Sequence, residues 1–106
     1  MASKQVILIT GGNTGLGYET VKALCQSSTA YEILIGSRSV QNGEDAVEKL
    51  KKEVSETVSA ISVVQVDISS DDSIEKAAEH VKAKYGKLDI LINNVWPTQY
   101  IDIYSY

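Results

Sequence analysis

The feature that most constrains this chain is Thr10-Gly11-Gly12-Asn13-Thr14-Gly15-Leu16-Gly17, four glycines in eight residues, set between segments of different periodicity. Before it, Val6 to Thr10 is an unbroken β-branched and apolar run, which predicts a strand buried on both faces, the kind that parallel sheets contain. After it, Leu16, Thr20, Val21, Leu24 and Cys25 recur at three- and four-residue spacing, which predicts a helix starting at Gly15. A strand that passes through glycines directly into a helix leaves free backbone N–H groups at the positive end of the helix dipole. That arrangement favours a phosphate, and the glycines permit its close approach to the backbone.

The rest of the chain repeats the strand-then-helix order. Ile33-Leu34-Ile35 predicts a second strand, and Ala46, Val47, Leu50 and Val54 give the stripe of a second helix with Ser39 as its N-cap. Ile61 to Val66 predicts a third strand. Ser69-Ser70-Asp71-Asp72 then suits a helix start, and Ile74, Ala77, Ala78, Val81 and Tyr85 mark the buried face of that helix. Gly86 stops it, and Leu88 to Ile92 predicts a fourth strand ending at Asn93-Asn94. Alternating elements joined by right-handed crossovers imply an α/β, Rossmann-like doubly wound parallel sheet, with four strands in the order 3-2-1-4. The first two helices are expected on one face and the third on the other.

At 106 residues the chain is long enough for one domain and too short for two. No window approaches the roughly 20 apolar residues of a membrane span, and Val6 to Ile9 is shorter than a secretory apolar region. The single cysteine, Cys25, suits a reducing compartment, so the expectation is cytoplasmic. Fourteen acidic against ten basic residues oppose the basic footprint of nucleic-acid binding.

The spacing Thr-Gly-x-x-x-Gly-x-Gly resembles the short-chain dehydrogenase/reductase family. Three further segments carry the same resemblance: Gly36-Ser37-Arg38-Ser39, Val66-Asp67-Ile68, and Leu88-Asp89-Ile90-Leu91-Ile92-Asn93-Asn94. It covers residues 5–94, so residues 1–94 read as an NADP(H)-binding Rossmann-like domain and 95–106 as an atypical tail. The resemblance implies that Gly11, Asn13, Thr14, Gly15, Leu16 and Gly17 line the pyrophosphate and ribose. It likewise places Asp67 and Ile68 beside the adenine, and Asn93 and Asn94 by the nicotinamide-side ribose. Charge argues for NADP(H) over NADH. In this fold a carboxylate at the end of the second strand bonds the ribose 2′-hydroxyl of NAD, but this chain carries Arg38, which suits a 2′-phosphate, with Ser37 or Ser39 assisting.

The resemblance breaks at Val95. Family members continue with further strands, a catalytic serine and a Tyr-x-x-x-Lys pair whose lysine lowers the tyrosine pKa, and the remaining residues supply none of these. The spacing occurs once, at Tyr18 and Lys22, on a helix serving the wrong end of the cofactor; a solvated face is expected there. The expected catalytic set is therefore empty, and no metal site is expected, since His80 has no ligand-spaced companion. Cys25 shares a face with Val21 and reads as core.

Tyr100 to Tyr106 alternates β-branched and aromatic residues, which predicts a short extra strand patching the edge of the fourth, with Ile101 and Ile103 to one side and Tyr100, Asp102 and Tyr104 to the other. Two functions follow. One is the cofactor-binding portion of an oxidoreductase with little or no turnover alone. The other is an inactive nucleotide-binding or interaction module that forms a homodimer through the open fourth-strand edge or an under-covered sheet face. A magnesium-binding receiver domain is set aside, because the first strand is followed by glycines and not by acidic residues.

Overall fold

The computed structural model describes residues 4–67, 71–95 and 100–105. Its elements are β1 (Gln5–Thr10), α1 (Gly15–Cys25), β2 (Tyr31–Ser37), α2 (Val40–Glu53), β3 (Ala60–Gln65), α3 (Asp71–Tyr85), β4 (Ile90–Val95) and β5 (Tyr100–Ser105). They form one sheet in the order β3-β2-β1-β4-β5. The first four strands are parallel, in the expected order 3-2-1-4, with Ile7 level with Ile33 on one side and Ile90 on the other. The tail strand is present as well, and β5 runs antiparallel to β4 from Ile90↔Ser105 to Val95↔Tyr100.

The period-two geometry of β1 divides its side chains between two cores. Ile7 and Ile9 join Tyr18, Val21 and Cys25 of α1 and Ala46 and Leu50 of α2. Val6 and Leu8 join Ala77, Ala78 and Val81 of α3, together with Leu34, Leu88 and Leu91. Leu8 and Leu34 are completely buried, and each such side chain contributes about 1.5–3 kcal/mol. Ser39 caps α2 as expected, its hydroxyl accepting from the Asn42 N–H at 3.2 Å. α3 ends at Gly86, whose φ of 81° suits a glycine just past a helix.

Three expectations need correction. The outer edge of β4, expected as a dimer surface, is covered by β5 of the same chain. The sheet face served by α3 alone is not under-covered at Leu8, Leu34 or Leu91, all of which are buried. Leu16, expected on the inner stripe of α1, is 47% exposed. The phase of α1 is set by Gly17, which packs against the end of β1, and the stripe that follows is Tyr18, Val21 and Cys25. The serines at 69 and 70 lie outside the described residues. Among the described residues no helix is long and apolar enough to cross a membrane.

Candidate dinucleotide site

The site begins where β1 ends. Thr10 is completely buried, and its hydroxyl donates to Asn93 Oδ1 at 2.6 Å while accepting from the Asn94 N–H at 3.1 Å. This clasp joins β1 to β4 at the carboxyl ends of the strands, next to the point where the chain order of the sheet reverses. Open α/β sheets bind their ligands in that crevice. Gly11 then turns the chain with φ 63°, and the Asn94 amide donates to its carbonyl at 3.3 Å. Gly12 ties the loop to the neighbouring strand by donating to the Gly36 carbonyl at 3.3 Å.

Close packing explains the last glycine. A Cβ on Gly17 would lie 2.2 Å from the Gly11 carbonyl oxygen, so α1 approaches the loop only because position 17 has no side chain. Thr14, extended at φ −145° and ψ 159°, is the N-cap of α1, but its hydroxyl makes no capping hydrogen bond. The first turn contains no acidic residue, leaving the positive end of the helix uncompensated by side-chain charge. Asn13 and Thr14 border a groove of about 360 Å³ shared with Asn42 and Lys49 of α2.

Arg38 stands at the exit of β2. Its side chain is exposed, and among the described residues it forms no ion pair. It lines a groove of about 610 Å³ with Val66, Asp67, Ser73, Lys76 and His80. Asp67 is anchored there by its own N–H, which donates to Ser73 Oγ at 2.9 Å. Ser37 is buried and its hydroxyl already donates to the Ser39 carbonyl at 2.7 Å, so of the two serines only Ser39 retains a hydroxyl proton to offer. The structure thus brings Gly11, Asn13, Thr14, Gly15, Leu16, Gly17, Ser37, Arg38, Ser39, Asp67, Asn93 and Asn94 to one end of the sheet. Ile68 lies outside the described residues.

Sequence reasoning passed over two residues. Thr10 opens the glycine motif in the sequence, but its role as a clasp to Asn93 and Asn94 shows only once β4 lies beside β1. Lys76 is one lysine of a mixed-charge helix until the fold places it in the Arg38 groove. Tyr18 requires a correction: it is 3% exposed and not part of a solvated face. Its hydroxyl donates to Glu53, Lys22 pairs with the same carboxylate at 3.7 Å, and the Lys49 ammonium sits 4.6 Å from the ring centre. Burial, then the Glu53 carboxylate, hold the Tyr18 hydroxyl protonated far above the usual phenol range. Among the described residues no cluster of three His, Cys, Asp or Glu could hold a metal.

The sequence model of the short chain dehydrogenase family matches residues 5–99. The chain belongs to that family. Short-chain dehydrogenase/reductase tropE of Talaromyces stipitatus is 39% identical over 94 residues, covering 89% of this chain and 35% of the relative. The menthone neomenthol reductase of Mentha piperita superposes with a TM-score of 0.73 at 34% identity, over 89% of this chain and 32% of that one. The L-sorbose reductase of Gluconobacter frateurii, solved with NADPH and L-sorbose, gives a TM-score of 0.69 at 26% identity, over 88% and 34% of the two chains. The chain therefore spans about a third of the length of the curated relatives it matches.

Proposed function

We propose that the chain binds NADP(H), as the cofactor-holding portion of an oxidoreductase that transfers hydride between NADPH and a carbonyl or alcohol carbon. Exposed Arg38 at the end of β2, with no ion-pair partner among the described residues, carries this reading. A 2′-phosphate there takes charge-assisted bonds from the guanidinium and the Ser39 hydroxyl, and a site of this kind offers NADH nothing equivalent. The glycine loop suits the rest of the cofactor, because Gly17 leaves no bulk over the loop and the N-terminus of α1 presents its N–H groups beside Thr14. The NADPH bound to the L-sorbose reductase supports the same assignment.

Bound NADPH would supply the hydride, and the residues of this chain would hold and orient it. A proton donor is a different matter. Tyr18 is buried and its hydroxyl is taken up by Glu53, and no lysine follows Lys87 in the sequence. Turnover by this chain alone is therefore expected to be little or none, with cofactor binding retained.

The test is thermal stability of the purified chain titrated with NADPH and, separately, NADH. A ligand at 100 times its Kd stabilises by about 2.7 kcal/mol, which raises the midpoint of a domain this size by roughly 10–20 °C. The expected outcome is a shift at a concentration about ten- to a hundredfold lower for NADPH than for NADH, in line with about 1.5–3 kcal/mol for a hydrogen bond to a charged group. Equal responses would remove the role of Arg38, and no response to either would remove the reading itself.

A further inference from the structure

We propose that Lys76 of α3 is a second determinant of cofactor choice, acting with Arg38 on the 2′-phosphate; this rests on the NADP(H) reading above. The chain is acidic overall, with a formal net charge of −4, yet among the described residues the groove below Arg38 is lined by Arg38, Lys76 and the imidazole of His80 against the single carboxylate of Asp67. Arg38 comes from the β2–α2 turn and Lys76 from α3, so the two cations rise from separate elements and converge on one space. Neither forms an ion pair among the described residues.

Position explains why Lys76 is singled out over His80. α3 begins at the carboxyl ends of the strands, and Lys76 is one turn, about 6 Å, nearer that end than His80. The floor of the groove is the edge strand β3 and the buried pair Val66 and Ala77, a low-dielectric surface that strengthens attraction between the cations and a dianion above it. The Lys76 ammonium is a compact point charge on a flexible stem. It adds attraction for a phosphate without demanding the fixed geometry that Arg38 imposes.

The experiment compares wild type with Lys76→Gln, and with Lys51→Gln as a control on the exposed far end of α2. Dissociation constants are measured for NADPH, NADH, adenosine 2′,5′-bisphosphate and AMP. The two adenosine fragments probe the groove without the nicotinamide half. Removal of one partly screened cation is expected to weaken NADPH and the bisphosphate about three- to tenfold at low salt, to change NADH and AMP less than about twofold, and to have little effect near 1 M salt, where screening is about 3 Å. Lys51→Gln is expected to change none of the four. If Lys76→Gln leaves the NADPH-to-NADH ratio as it is in wild type, the inference fails while the NADP(H) reading stands. Wild type that binds none of the four would overturn both.

Discussion

Hydrogen is the largest side chain that position 17 accepts. A Cβ there would sit 2.2 Å from the Gly11 oxygen, 2.8 Å from the Gly11 carbonyl carbon and 2.9 Å from Asn94 Nδ2, and two of those atoms are backbone. Gly15 presents the opposite case, with φ 57° and nothing within 4 Å of an added Cβ. Gly17→Ala therefore has to push α1 off the loop, at about 1–3 kcal/mol for overpacking, and the displaced loop loses its fit to a phosphate. Gly15→Ala costs about 1–2 kcal/mol of left-handed backbone strain and leaves the loop where it is. Thermal midpoints measured with and without NADPH separate the two. Both variants melt earlier than wild type, and Gly17→Ala is expected to lose the larger share of the NADPH-dependent rise; a full rise in Gly17→Ala would show that the close packing is dispensable. At this scale the glycines were legible in the sequence because backbone geometry restricts them to few uses. Tyr18 was not, because its neighbours are Glu53 and Lys49, more than thirty residues away on another helix.

Elements were more legible than residues. Each parallel strand was a short apolar run, each helix a stripe closed by a cap or a glycine, and their alternation implied a doubly wound parallel sheet. The phase of α1 was misjudged at Leu16 because the residue that sets it, Gly17, has no hydropathy to read. β5 was legible as alternation, and its register with β4 makes it the strand that satisfies the outer backbone groups of β4. Its described side chain Ile103 is level with Ile92 and remains 68% exposed, so the contribution of β5 rests more on backbone pairing than on burial at that position. Removing residues 100–106 should uncover β4 as an edge of unpaired N–H and C=O groups, which templates pairing with other chains. Light scattering and sedimentation are expected to show larger species for the shortened chain than for the intact one. A shortened chain that stays monomeric and melts with the intact one would mean that β5 protects nothing.

Across the whole molecule, the proposed cofactor site and the Asp89 tie occupy different places. The loop, Arg38 and the asparagines gather at the carboxyl ends of the strands, while Asp89 joins the opposite ends of β1 and β4. Asp89 Oδ2 accepts from the Val6 N–H at 2.7 Å, and the Asp89 N–H returns a bond to the Val6 carbonyl at 3.0 Å. Lys87 lies 3.1 Å from the same carboxylate. The Val6 N–H first, and then Lys87, hold the Asp89 carboxyl below the usual range, and the Tyr18 hydroxyl with Lys22 and Lys49 does the same for Glu53. A carboxyl whose folded value is depressed binds its proton more readily in the unfolded chain. Its stabilisation is complete above the unfolded value of about 4 and is lost as pH falls through the lower folded value. Asp89→Asn keeps an oxygen for the Val6 N–H but removes the charge. The gap in melting midpoint between wild type and this variant is therefore expected to be widest near neutrality, to narrow from about pH 4 downward, and to close where Asp89 is protonated in both states. A gap that stays constant down to the acid limit would assign Asp89 a purely geometric role.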